Sequence, residues 1–147
     1  MTAPIAVPGC VFCEIVADAR PAQVVYESAE AVAFLDQRPL FPGHTLVVPR
    51  VHIETLAELP PRLVEPLFSS VQVLAVAVQD AMRAEGSFVA LNNVVSQSVP
   101  HLHVHVVPRR RKDGLRGFFW PRTKYESEEE MAAAAQAVRD AVARVRA

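Results

Sequence analysis

Residues 101–107 read His-Leu-His-Val-His-Val-Val, and this run constrains the chain more than any other. Alternation of polar and apolar side chains has the period of an extended strand, whose successive side chains point to opposite faces. A strand over His101–Val107 puts His101, His103 and His105 on one face, with Leu102, Val104 and Val106 on the other. Neighbouring imidazoles then stand about 6.5–7 Å apart. A lone core histidine is usually structural. Three in register give a sheet nothing that Val or Thr would not. Two chemistries use such a row. Alternate imidazoles can ligate zinc. Alternatively, a neutral imidazole nitrogen can attack phosphorus and form a covalent intermediate. That route needs a neighbour to fix the tautomer and donors to stabilise the developing charge. Asn92, Asn93, Ser96, Gln97 and Ser98 crowd the connection into the strand and supply such donors, although each alone reads as a turn residue.

The totals narrow the partners. At 147 residues, with 51% hydrophobic and 21% charged side chains, the chain fits one globular core. Fifteen basic against 16 acidic residues give a net charge of -1, so no global field recruits nucleic acid or anionic lipid. A polyanion has to be gripped locally. No apolar run approaches the roughly 20 residues of a bilayer span, and Met1–Gly9 lacks a leader pattern. The expectation is a cytoplasmic protein without a membrane or nucleic-acid partner. Cys10 and Cys13 form a C-x-x-C pair, which in a reducing compartment suggests a metal clip or redox pair.

Along the chain, residues 1–9 read as a flexible N-terminal arm. Val24–Glu27 and Ala31–Asp36 are short β-prone stretches, and Pro42-Gly43 marks a turn before the strand His44–Pro49. Ile53–Leu59 fits one or two helical turns. Pro60-Pro61 opens a long helix whose buried face is Leu63, Leu67, Phe68, Val71, Leu74, Ala75, Val78 and Met82, with Gly86 as its stop. Pro66 is an alternative start. Phe88–Asn92 reads as a strand, and Ser127 with Glu130 forms a capping box opening a final helix. Short strands with segregated helices predict an α+β domain on an antiparallel sheet of about five strands, with the long helix packed on it and a helix at the C-terminus. No repeat or domain boundary stands out.

At the histidine row the chain resembles the histidine triad (HIT) superfamily, most closely its bacterial Hint-like branch. Cys10-Val-Phe-Cys13-Glu-Ile15, Ala33-Phe-Leu-Asp36, Pro42-Gly-His44-Thr-Leu-Val-Val-Pro49, His52-Ile53, Asn92-Asn93, Gln97-Ser-Val and Pro108-Arg109 all fall in that family's order. The resemblance implies a single HIT domain over residues 10–147. It also implies a nucleotide hydrolase or transferase that forms a nucleotidyl-histidine on His103 and releases a nucleoside monophosphate, AMP first of all, from phosphoramidate or related leaving groups. A Fhit-like dinucleoside polyphosphate hydrolase is the alternative, and a nucleotide-binding regulator with little catalysis is another. A metallohydrolase using His103 and His105 as ligands is disfavoured by the scarcity of nearby carboxylates and the lack of H-E-x-x-H.

By that resemblance His105, His44 and His101 flank the nucleophile, and Asp36 holds the ribose hydroxyls. Phe12, Ile15 and Phe34, with Val11 as a weaker candidate, wall the base. Asn93, Gln97 and Ser98 contact phosphate and leaving group. Some bacterial members hold structural zinc, and Cys10, Cys13, His52 and His101 match that set. A purine nucleotide substrate and a homodimer, built on the long helix and a sheet edge, are the implied partners. The chain departs from the family at Asn93-Val94-Val95-Ser96-Gln97-Ser98, which is shorter and lacks a glycine, so the leaving-group pocket stays open. Phe118, Phe119 and Trp120 read as interface or pocket-rim residues, with burial inside one subunit as the alternative, and Arg109–Lys112 as a solvated basic loop.

Overall fold

The computed structural model describes residues 6–116 and 122–145. Five strands, β1 Val24–Glu27, β2 Ala31–Leu35, β3 Thr45–Pro49, β4 Gly86–Ala90 and β5 Val104–Arg109, form one sheet in the order β1-β2-β3-β5-β4 with every pairing antiparallel. The described residues also form three helices, α1 Val11–Val16, α2 Pro61–Ala81 and α3 Glu128–Val145, and a 3-10 turn at Leu56–Glu58. The α+β expectation holds. The fold divides after Asp113 into two compact units, a boundary that the sequence does not announce. The sheet, α1 and α2 lie in the first unit and α3 in the second. The expectation for Phe118, Phe119 and Trp120 falls outside the described residues.

Both faces of the central strands are covered, so β2 and β3 read as continuous apolar runs. On one face Ala31, Ala33, Val47, Leu102, Val104 and Val106 pack against Leu63, Leu67, Val71, Leu74 and Val78 of α2. On the other, Val32, Phe34, Leu46 and Val48 pack against Cys10, Phe12, Cys13 and Ile15. Truncating a buried leucine such as Leu67 to Ala removes about 2–5 kcal/mol. By length and composition α2 could cross a bilayer, yet its buried stripe makes it the core helix of this unit. Phe68, expected on that stripe, is 36% exposed. Pro66 lies inside α2 and does not start it. The helix stops at Met82 because Arg83 adopts a left-handed φ of 52° and the Ala84 amide turns back to the Gln79 carbonyl. Gly86 instead opens β4, two residues earlier than the expected Phe88–Asn92 strand, and that strand closes at Ala90.

The histidine strand also starts later than its alternation suggests, at Val104. The β3–β5 register pairs Val47 with Val104, which would set Pro49 against Leu102. Pro49 has no N–H to give, so the ladder ends there, and the Leu102 amide donates to the Ile53 carbonyl instead (2.6 Å). Residues 101–103 lie outside the ladder. Phe41–His44 is a tight turn closed by the His44 amide on the Phe41 carbonyl, with Gly43 at φ 94°. A Cβ on Gly43 would stand 2.5 Å from Cγ of Met82, at the end of α2.

Helix α1 is the element that the sequence does not reveal. Its six residues are too few to show a period. Cys10 caps it by accepting the Cys13 amide on Sγ (3.4 Å). In the second unit the capping box is present: Ser127 Oγ accepts the Glu130 amide (3.1 Å), while the Glu130 carboxylate turns back to the Glu126 amide.

Candidate active site

A cavity of about 220 Å³ opens on the α1 side of the sheet. Val11, Phe12 and Ile15 from α1, Phe34 from β2 and Leu46 from β3 form its apolar wall, and His103 and His105 lie at its base. Phe12 is the hinge of this wall. Its ring meets Phe34 edge-on at 5.2 Å and His103 edge-on at 5.1 Å. Asp36 sits at the rim and accepts the Arg38 amide on Oδ1 (2.8 Å). Arg20 and Arg38 line the same cavity, two cations that the sequence reading passed over. The Asp36 side-chain turn that carries Arg38 was the available signal.

Backbone groups decide which nitrogen each histidine presents. His103 Nδ1 lies 2.7 Å from the His101 carbonyl oxygen. A carbonyl only accepts, so Nδ1 carries the proton and Nε2 keeps its lone pair. His101 Nε2 lies 2.9 Å from the Pro49 carbonyl oxygen, the group left free where the ladder ends. That leaves His101 Nδ1 bare, 3.4 Å from Cys10 Sγ and 3.5 Å from Cys13 Sγ. His44 runs the other way: its Nδ1 accepts the Leu40 amide (3.0 Å), so Nε2 bears the proton and points at His105 Nδ1, 2.9 Å away. The His103 and His105 ring centres are 5.0 Å apart, closer than a regular strand would set them.

Burial favours the neutral form of His44, His101 and His105. It pushes His105 down to about 4, assisted by repulsion from His103 and His44. It pushes His101 down to about 4 as well, and lowers His44 against the opposing pull of Asp36. Burial also raises the Cys13 thiol.

Two clusters of possible ligands result. Cys10, Cys13, His52 and His101 bring their donor atoms within 4.8 Å of one another, and His52 Nδ1 is 3.2 Å from Cys13 Sγ. In a tetrahedral Cys₂His₂ zinc site, metal bonds of about 2.3 Å to sulfur and about 2.0–2.1 Å to nitrogen put S and N about 3.5 Å apart. The donor set fits. Asp36, His44 and His105 are equally close together, with Asp36 Oδ2 at 3.6 Å from His44 Nε2. There, however, His44 Nε2 carries a proton directed at His105, so the two histidines form a hydrogen-bonded pair with the Asp36 carboxylate beside it and do not offer a ligand set.

The remaining expected contacts divide. Ser98 lines the cavity. Asn93 and Gln97 do not: Asn93 Oδ1 accepts the Leu56 amide (2.8 Å), Gln97 Nε2 donates to the Glu54 carbonyl (2.6 Å), and Gln97 Oε1 accepts the Val94 amide (2.9 Å). They tie down a loop strained by left-handed Val94 and Ser96, at φ 68° and 62°. His101 is fully buried and absent from the cavity lining, so it serves the site from behind. The basic run is tied down as well. Arg109 grips Asp113 through two bonds (2.6 and 3.0 Å), Arg110 reaches the Met82 carbonyl, and Arg111 pairs with Glu85.

Known proteins share this fold. A crystal structure of a HIT-family member from Bacillus subtilis superposes with a TM-score of 0.82 at 32% identity, over 90% of this chain and 96% of that one. A Zn-bound histidine triad family protein from Mycobacterium smegmatis superposes with a TM-score of 0.70 at 37% identity, over 91% and 97%. The adenylylsulfatase HINT3 of Arabidopsis thaliana is 34% identical over 108 residues, which is 72% of this chain and 55% of the plant protein. The HIT domain family model matches residues 18–112, nearly all of the first unit, and the chain belongs to the HIT family.

Proposed function

We propose that the chain is a nucleotide hydrolase or transferase working through a covalent nucleotidyl-histidine on His103. The observation that carries this reading is the bond from His103 Nδ1 to the His101 carbonyl (2.7 Å), on a residue at the base of a cavity walled by Phe12, Ile15 and Phe34. It reserves the Nε2 lone pair for attack on the α-phosphorus. The N–P bond forms as the bond to the leaving group breaks. His105, backed by the protonated Nε2 of His44, hands a proton to the departing atom. Water then attacks phosphorus and cleaves the N–P bond, its hydroxyl leaving on the nucleoside monophosphate and its proton returning to His105, so that both His103 and His105 are restored.

Asp36 accepts the ribose hydroxyls, the apolar wall takes a purine, and Ser98 faces the leaving group. Asn93 and Gln97 hold the loop that presents Ser98. The relative named as an adenylylsulfatase supports an adenylate substrate, with phosphoramidate, acyl, sulfate or phosphate as leaving group. Arg20 and Arg38 at the cavity favour a second reading, hydrolysis of dinucleoside polyphosphates, whose extra charge they would offset. A structural zinc ion on Cys10, Cys13, His52 and His101 belongs to the same proposal, supported by the donor geometry and by the Zn-bound relative. So do a cytoplasmic location and a homodimer built on α2 and the exposed edge strand β4.

The test is turnover of a fluorogenic adenosine phosphoramidate, of adenylyl sulfate and of diadenosine polyphosphates. His103→Ala is expected to lose about 10⁴-fold or more on whichever of them is cleaved. Full turnover by that variant on every substrate ends the covalent mechanism.

A further inference from the structure

We propose that the Cys10–Cys13–His52–His101 cluster is a positioning device through which a tetrahedral metal ion and a nucleotide bind cooperatively. The inference deepens the proposed function and rests on its nucleotide-binding reading. Helix α1 carries two loads at once. Cys10 caps it and Cys13 lies within it, while Val11, Phe12 and Ile15 of the same helix form the cavity wall. A helix of six residues has no stability of its own, so its place depends on the packing of Phe12 and Ile15 against the sheet and on what its thiols hold. Those thiols face the Nδ1 atoms of His52 and His101 at 3.2–3.5 Å, and without an ion only weak sulfur hydrogen bonds join them.

His101 carries two loads as well. Its ring faces the thiols, and its carbonyl holds Nδ1–H of His103. Phe12 touches both histidine rings edge-on, at 6.0 Å for His101 and 5.1 Å for His103. One ion therefore fixes the base wall and the nucleophile's orientation together. A nucleotide that presses on Phe12 and His103 favours the same arrangement of the four ligands. His101 is in this sense a positioning residue, acting through His103.

Linkage makes the claim measurable without turnover. Zinc affinity of the full chain is read by competition with a chromophoric chelator, with and without saturating AMP. AMP is expected to tighten zinc about fivefold or more, and zinc to tighten AMP by the same factor. The cobalt(II)-loaded protein gives a second readout that needs no folded metal-free chain: AMP is expected to shift its visible absorption bands. Equal zinc affinities with a bound and an absent nucleotide, or a cobalt spectrum unmoved by saturating AMP, overturn the coupling alone. A chain that takes up no zinc also overturns it. AMP that binds neither form overturns the nucleotide reading, and the coupling with it.

Discussion

The two ends of the histidine run make an instructive pair. At one end, His101 turns a bare nitrogen and His52 its Nδ1 toward two thiols; at the other, His44 and His105 share a proton beside Asp36. Both clusters bring imidazoles into close contact, and both are compact enough to hold an ion. They differ in what the backbone offers each ring. The Pro49 carbonyl takes a proton from His101 and frees its other nitrogen for a cation. The Leu40 amide occupies the lone pair of His44 and leaves it a proton to pass on. Residue type is the same at both ends. The neighbouring carbonyl or amide assigns the chemistry.

That contrast can be broken by substitution. His105→Asn and His44→Ala are expected to slow turnover by 10² to about 10⁴-fold, the range of general acid catalysis, with metal content unchanged. Loss of metal in either variant would mean that the relay end is also a ligand site. His52→Ala should do the reverse to metal, weakening zinc by at least about 100-fold, more than changes outside the ligand shell produce. The check is chelator competition followed by metal analysis, and an unchanged affinity removes His52 from the set.

A third test sharpens the relay end through pH. The folded His105 is held near 4, below its ordinary 6.5, so the unfolded chain binds a proton that the folded chain refuses. Stability from this ring is complete above about 6.5 and drains away as pH falls toward 4. Chemical denaturation across that window should show wild type losing roughly 2 kcal/mol more than His105→Asn, after allowing for the partial exposure of the ring. Parallel curves would show that the ring is not held neutral by burial. The smallest effect concerns Asp36. Asp36→Asn should cost about tenfold in kcat/KM for a ribonucleotide and much less for its 2′,3′-dideoxy counterpart, since one charge-assisted hydrogen bond is weakened. Equal losses on both would place Asp36 away from the ribose.

Much of the first unit is legible from periodicity. The stripe Leu63, Leu67, Val71, Leu74 and Val78 announces α2, and the runs around Val32 and Val47 announce buried strands, because burial on one face or two leaves a repeat in the sequence. What stays hidden lacks a repeat. Helix α1 is one turn and a half long, and Arg83 ends α2 from a conformation usually left to glycine. Within the site, the residue identities at Asp36, His44, His103 and the thiol cluster are readable from motif order. The protonation pattern is not, since it depends on the carbonyls of Pro49 and His101 and the amide of Leu40 arriving from elsewhere in the fold. Asn93 and Gln97 show the converse. Amide side chains in a polar loop suit phosphate and suit the loop's own backbone equally well, and the structure commits them to the backbone.

The crowding at Gly43 has a consequence for how lesions in this protein would look. Its α-carbon turns against the Met82 side chain, which a methyl group would have to displace, three residues after the Leu40 amide and one before His44. Gly43→Ala would strain a backbone held at φ 94° and displace the Met82 side chain, loosening the turn that brings the Leu40 amide to the His44 ring. A survey of damaging variants would then score position 43 alongside the chemical residues, although it contributes no atom to the reaction. Its part is clearance.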